Sequence, residues 1–148
     1  MKALIQRVSR AAVRVEGREI ASIGEGLLIL LGVAKEDRAG LEERLAARCS
    51  ELRIFEDEQG KMNRSVRDIG GSALVVPQFT LVADTSRGHR PSFDSAAGSD
   101  PALRAFTAFC EALTGLGVAT GKGSFGASME VELVNQGPAT FLLEITGS

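Results

Sequence analysis

The sequence predicts an α/β protein: a mixed, layered α/β/β fold in which two main helices cover a sheet that is partly barrel-like. Three observations carry this. Glycine is abundant, 17 residues against four prolines, which favours tight turns and close backbone approaches over a helical bundle. Several short runs are apolar on both faces, as strands in the middle of a covered sheet are. Two amphipathic helical stripes stand between strand runs instead of following one another, so helices and strands share one core. A chain of 148 residues with 44% hydrophobic and 24% charged residues is long enough to bury that core alone. Residues 1–148 read as a single domain without repeat or linker.

The elements follow in order. Ala3 to Val8 alternate, Ala11 to Val15 resume the alternation, and Glu19 to Ile23 repeat it after Glu16-Gly17, which predicts a strand and a hairpin. Gly24-Glu25-Gly26 leads into Leu27 to Val33, apolar throughout and too short for a helix between its glycines, hence a central strand. Asp37 is placed to cap a helix with Leu41, Leu45, Cys49 and Leu52 inside and Glu42, Glu43, Arg44 and Arg48 outside. Arg53 to Phe55 lead to a solvated turn, Glu56 to Lys61, and the stretch to Gly70-Gly71 reads as irregular. Ser72 to Leu81 is a second covered strand, and Asp84 to Ser99, with Gly88, Pro91 and Gly98, is a long loop of the kind that more often carries function. Asp100-Pro101 opens a second helix with the stripe Leu103, Phe106, Phe109, Cys110 and Leu113, closed by Gly115 and Gly117. Ala127 to Val134 and Ala139 to Ile145 are strands flanking Asn135-Gln136-Gly137-Pro138. The two-sided strands exceed what two helices shield, so the far face calls for another sheet of the same chain and for a partner subunit.

Composition excludes several functions. With 17 basic and 19 acidic residues and a net charge of −2, the chain lacks the basic surplus needed to hold DNA or RNA by bulk electrostatics, leaving recognition of a nucleic-acid end. No apolar run approaches the roughly 20 residues that span a bilayer, and the N-terminus lacks a signal-peptide layout; a cytoplasmic protein without membrane contact is expected. Cys49 and Cys110 sit in helical patterns and read as buried free thiols, so no metal site is expected. There is no Trp or Tyr and one histidine, His89, on which any Ser-His-Asp triad would depend.

Three places could carry chemistry. Pro77 interrupts a covered strand in Pro77-Gln78-Phe79-Thr80-Leu81, where it removes a ladder hydrogen bond; the plain reading is a strand end, the functional one a set of free amides, with Thr80 a nucleophile that has no base nearby in sequence. Gly137-Pro138 spoils a tight hairpin unless its peptide is cis or the chain bows outward, a trans loop being the default. Arg87-Gly88-His89-Arg90-Pro91-Ser92-Phe93 reads either as solvated surface or as a grip on a phosphate or a base.

The opening Met1-Lys2-Ala3-Leu4-Ile5-Gln6-Arg7-Val8, the Pro77 to Leu81 motif and Asn135-Gln136-Gly137-Pro138-Ala139-Thr140 together resemble the D-aminoacyl-tRNA deacylases. The likeness covers essentially the whole chain and includes residues 26–33, Gly60-Lys61-Met62-Asn63, Arg90-Pro91-Ser92-Phe93 and Phe125-Gly126-Ala127-Ser128-Met129 in the family's order and spacing. Two positions depart from it: Pro77 stands where serine is usual, and Ala139 where valine is. The resemblance implies hydrolysis of the ester joining a D-amino acid, or glycine, to the terminal adenosine of tRNA, with the L-aminoacyl ester left intact and no cofactor. It implies a homodimer with sites at the subunit interface, in which a cis Gly137-Pro138 peptide enters the partner's pocket and turns both carbonyls toward the substrate's alpha carbon. Ala139, Thr140 and Arg7 belong to that filter, Arg7 by hydrogen bonds to loop carbonyls. Backbone amides around Gln78, Phe79 and Thr80 serve as oxyanion donors, and the tRNA's own 2′-hydroxyl handles the proton. The competing readings are a dimeric module that binds amino-acid-like ligands without turnover, and an esterase with Thr80 as covalent nucleophile.

Overall fold

In the structure, a computed structural model that describes residues 1–147, the chain opens with β1 (Lys2–Val15), which turns through Glu16-Gly17 into β2 (Arg18–Ile23). Both turn residues have positive φ, 51° and 77°, the handedness that matches a tight turn to twisted strands. There follow β3 (Gly26–Gly32), α1 (Leu41–Glu51), a small hairpin of β4 (Phe55–Glu56) and β5 (Met62–Arg64), β6 (Ser72–Pro77), a single 3-10 turn (Phe79–Val82), α2 (Ser99–Gly115), β7 (Ala119–Lys122) and β8 (Glu130–Glu144).

Six strands form one sheet. β8 lies antiparallel along nearly the whole of β1; the other side of β1 is shared, its first half by β3 and its second by β2. β6 continues from β3 and β7 from β6, both parallel. The sheet then curls until β2 comes back against β6 and β7, which makes it a nearly closed barrel. Gly26 is where two strands first close up: a Cβ there would land on the Ser72 carbonyl, so no larger residue allows β3 and β6 to start side by side.

Alternation divides the apolar residues between two cores. Ala3, Ile5, Leu27, Ile29 and Val75 face the helices, where Leu45, Cys49, Phe106, Phe109 and Leu113 meet them. Val8, Val13, Leu28, Leu74 and Val76 face the barrel interior and are covered by Ala21 and Ile23 of β2 and Val131 and Leu133 of β8. Each such side chain, fully buried, is worth roughly 1.5–3 kcal/mol relative to exposure. The second cover expected from the two-sided strands is thus the chain's own curled sheet.

Several sequence expectations need correcting. Asp37 does not cap α1: its carboxylate accepts from the Ala34 N–H at 2.7 Å and from the Met1 ammonium at 2.9 Å, and Gly40 stands at the N-cap. Glu42, expected outside, is buried and reaches back to accept the Gly40 N–H at 2.8 Å. The stretch after Lys61 holds β5, and β7 has no signal in the sequence, because Ala-Thr-Gly-Lys is too short and too polar to alternate visibly. α2 begins at Ser99, so Pro101 sits third in the helix, still where its missing N–H has no intrahelical partner to lose. Leu103 is exposed and Ala105 takes its place in the buried stripe. Ser72 to Leu81 is not one strand: β6 stops at Pro77. The two final strands are one continuous element, β8, with a bulge where the turn was expected.

Candidate functional site

Pro77 is the last residue of β6 and lies opposite Leu31. The next amide, Gln78 N–H, still donates to the Leu31 carbonyl at 2.8 Å, after which the chain winds into the 3-10 turn. The first N–H groups of such a turn have no acceptor inside it, and among the described residues the Phe79 and Thr80 amides find no backbone acceptor outside it either. Of the three residues expected to offer free amides, Gln78 therefore has its own amide engaged, and Phe79 and Thr80 remain.

Beside Phe79 a cavity of about 530 Å³ opens at the carboxyl ends of β3 and β6, the end of parallel strands where ligands usually bind; Thr80 is next in the chain but does not line it. Pro77, Gln78 and Phe79 form one wall, Ser99 and Ala102 of α2 another, and Phe125 and Met129 a third. Phe125 is held by Phe106, ring centres 6.4 Å apart. Among the described residues no charged side chain lines the cavity. The Gln78 side-chain amide donates to the Thr80 hydroxyl at 2.5 Å, so that hydroxyl is an acceptor in place, and among the described residues no imidazole or carboxylate is hydrogen-bonded to it to take its proton. His89 is exposed on the 84–95 loop and does not line the cavity.

The second group of expected residues lies at the β1–β8 bulge. Val8 pairs with Asn135 and Gln6 with Thr140, so five steps of β8 oppose two of β1 and the residues between bow outward. The Gly137-Pro138 peptide is cis, and Gly137 has φ +122°. Gly137 and Pro138 are exposed, whereas Ala139 is buried. Arg7 is almost entirely buried; its Nε donates to the Gln136 carbonyl at 3.1 Å and its Nη1 to the Ile54 carbonyl at 2.7 Å. It thus ties the bulge to the chain leaving α1 through Gln136, one residue before the pair. Asn135 and Gln6, which the sequence reading did not single out, complete the frame. The Asn135 side-chain oxygen accepts the Ala139 N–H at 3.0 Å, its amide donates to the Thr140 hydroxyl at 3.0 Å, and Gln6 Nε2 donates to that same hydroxyl at 3.2 Å. An asparagine two residues before a glycine is an ordinary turn signal, which hid this bracing role.

Within one chain the two groups do not meet. Arg7 lies opposite Leu27 and Pro77 opposite Leu31, four residues or about 13 Å along β3, and three strand spacings of roughly 4.8 Å separate β8 from β6. Measured along the sheet the bulge is therefore about 20 Å from the Pro77 end of the cavity, and none of its residues lines the cavity.

The remaining candidates are quieter. Burial pushes the Cys49 thiol up to about 12 and the Cys110 thiol to about 11, the behaviour of inert core cysteines. Among the described residues no group of three His, Cys, Asp or Glu side chains could hold a metal ion, and no helix is long and apolar enough to cross a membrane.

A family model described as D-Tyr-tRNA(Tyr) deacylase matches residues 4–144. The chain belongs to this family. Among relatives named D-aminoacyl-tRNA deacylase, that of Deinococcus radiodurans is 52% identical over 145 residues, covering 98% of this chain and 100% of the relative. That of Roseiflexus castenholzii is 56% identical over 144 residues, covering 97% and 92%. A solved structure titled c-Myc DNA Unwinding Element Binding Protein superposes with a TM-score of 0.93 at 38% identity over 99% of this chain and 100% of that one. Another, titled as a probable eukaryotic D-amino acid tRNA deacylase, gives 0.82 at 16% identity over 97% and 98%, a likeness of fold.

Proposed function

We propose that the chain is a D-aminoacyl-tRNA deacylase of the cytoplasm, acting as a single-domain subunit of a homodimer. It hydrolyses the ester between a D-amino acid, or glycine, and the terminal adenosine of tRNA, and leaves the L ester intact. The observation that carries this reading is the uncharged cavity with Phe79, whose amide has no backbone acceptor, in its lining and Thr80 next in the chain, in a chain more than half identical over its whole length to relatives of that name.

The chemistry suits so spare a site. An aminoacyl ester is already activated, so hydrolysis needs an oriented water and a partner for the developing oxyanion more than a strong base. The Phe79 and Thr80 amides supply that partner, each worth roughly 10²–10³ in rate if aimed at the oxyanion. The proton passes by way of the substrate's own 2′-hydroxyl; water adds to the carbonyl, and the ester bond breaks to give the free amino acid and the tRNA 3′-hydroxyl.

Selectivity comes from exclusion. With the amino group and ester held, an L side chain points at the Gly137 and Pro138 carbonyls and would clash with them or strip them of water, whereas a D side chain points away. The roughly 20 Å between bulge and cavity within one chain favours a filter reaching into the partner's cavity, and the exposure of Gly137 and Pro138 leaves them free to do so. Ala139 and Thr140 anchor the bulge, and Arg7 and Asn135 brace it.

One solved relative is named for binding DNA. For this chain an acceptor end is the better partner, because holding a duplex through many phosphates needs a basic surplus and the net charge here is −2. The test is release of D-tyrosine from D-tyrosyl-tRNA beside the L form. Rapid release from the D ester alone supports the deacylase; ligand binding without turnover supports the binding module, and a trapped acyl-enzyme on Thr80 supports the esterase.

A further inference from the structure

The loop from Asp84 to Phe93 lies outside both groups of site residues, and its construction is specific. Its neck is closed by two reciprocal backbone bonds, Asp84 N–H to the Ser92 carbonyl and Ser92 N–H to the Asp84 carbonyl, each 2.8 Å. Its base is fixed to the cavity rim: the Phe93 ring meets the Phe79 ring edge-on, centres 5.2 Å apart, and Phe79 is itself a cavity wall. The tip turns at Gly88, φ +64°. Between the neck residues the basic residues are Arg87, His89 and Arg90, with no acidic residue among them. The neck carboxylate of Asp84 is turned to the Ser86 N–H at 2.9 Å and is held below the usual carboxylate range by that residue's hydrogen bonds. All three basic side chains are exposed, and among the described residues none makes an ion pair or hydrogen bond.

The cavity, by contrast, is lined by no charged side chain among the described residues. A nucleotide whose end enters it must leave its phosphodiesters at the rim, where nothing in the lining neutralises them. We propose that Arg87 and Arg90, presented on this braced loop, are the phosphate contacts for the single-stranded end of the substrate RNA, with His89 between them. The proposal rests on the deacylase reading for the identity of the substrate. A guanidinium suits the role because its planar fork matches phosphate oxygens, and the short neck places it without a large loss of loop freedom.

The experiment compares wild type, the double variant Arg87→Ala/Arg90→Ala and the charge-keeping Arg87→Lys/Arg90→Lys. One readout is kcat/KM on D-tyrosyl-tRNA relative to that on D-tyrosyl-adenosine, an ester with no phosphate. The other is anisotropy of a labelled acceptor-stem hairpin ending in unpaired CCA, titrated with protein at several salt concentrations. The alanine pair is expected to lower the tRNA-to-adenosine ratio roughly tenfold and to reduce the salt slope of hairpin binding by about 1.4, two single-strand phosphate contacts at about 0.7 each. The lysine pair keeps most of both. An equal loss on both esters, or a salt slope unchanged by the alanine pair, overturns the proposal. Should wild type hydrolyse neither ester, the deacylase reading fails by itself, while the hairpin titration still decides whether the loop holds RNA.

Discussion

Replacing Gly137 by alanine tests how the bulge is held, and the outcome follows from two separable effects. At φ +122° an L residue is strained by about 1–3 kcal/mol whatever surrounds it. The added Cβ also falls 2.5 Å from Arg7 Nη2, so the guanidinium must shift. It cannot shift freely, because Nε and Nη1 are committed to the Gln136 and Ile54 carbonyls. Bonds from a charged donor contribute roughly 1.5–3 kcal/mol each, and water can replace the one to exposed Gln136, which leaves about 2 kcal/mol at stake. Gly137→Ala should therefore destabilise by about 3–5 kcal/mol in the native background but only about 1–3 kcal/mol once Arg7→Ala has removed the obstacle. The coupling in the double-mutant cycle is then about 2 kcal/mol. Urea unfolding followed by far-UV circular dichroism is the suitable assay, since the chain has no Trp or Tyr to report by fluorescence, with protein concentration held constant because association shifts apparent stability. The same penalty in both backgrounds would refute the claim that Arg7 and Gly137 are in tight contact.

Thr80→Ala should keep its rate of D-ester hydrolysis to within about tenfold, because its hydroxyl has no base to activate it; a thousandfold loss in single-turnover kinetics would make it the nucleophile. Asn135→Ala removes the acceptor of the Ala139 N–H and should destabilise by about 1–3 kcal/mol, with Asn135→Asp, which keeps an acceptor, losing less; equal losses in urea unfolding would contradict the bracing role. The thiols of Cys49 and Cys110 should resist iodoacetamide at pH 8 in the native protein and react on unfolding, with mass spectrometry as the readout. Their folded values, about 12 and about 11, lie above the unfolded one of roughly 8.5. Stability from these groups is thus complete below pH ~8.5 and declines as pH rises toward 11 and 12; a stability that rises over that range would contradict their burial.

Much of this was legible in sequence wherever periodicity or a special residue speaks. The alternation of Ala3 to Val8 gave the strand and its register face, and the two-sided run at Leu27 to Val33 gave the central position of β3. Pro77 announced the end of β6, although the expected strand ran on to Leu81 because Phe79, Thr80 and Leu81 are all good strand residues and the 3-10 turn has no local signature. Family resemblance, not spacing, pointed to the cis form of Gly137-Pro138. What stayed hidden depends on three-dimensional partners. Asn135 looks like a turn residue until Ala139 and Thr140 are seen around it, Asp37 looks like a cap until the Met1 ammonium is found beside it, and β7 becomes a strand only because β6 offers it an edge. Leu103 fits a helical stripe by count, yet Ala105, four residues before Phe109, faces inward and Leu103 is exposed.

If one chain's bulge filters for its partner's cavity, subunits carrying complementary defects restore selectivity when mixed. Ala127→Trp places an indole in the cavity lining and leaves the bulge intact; Gly137→Ala disturbs the bulge and leaves the cavity intact. Alone, the first should hydrolyse neither tyrosyl ester, and the second should hydrolyse the L ester as well as the D. When Gly137→Ala is equilibrated with about tenfold excess Ala127→Trp, most of its cavities should meet an intact bulge across the two-fold interface, so L-tyrosyl-tRNA hydrolysis falls away while D-tyrosyl-tRNA hydrolysis persists. L-ester hydrolysis unaffected by the excess subunit, or a monomer by light scattering that is fully D-selective, would contradict it.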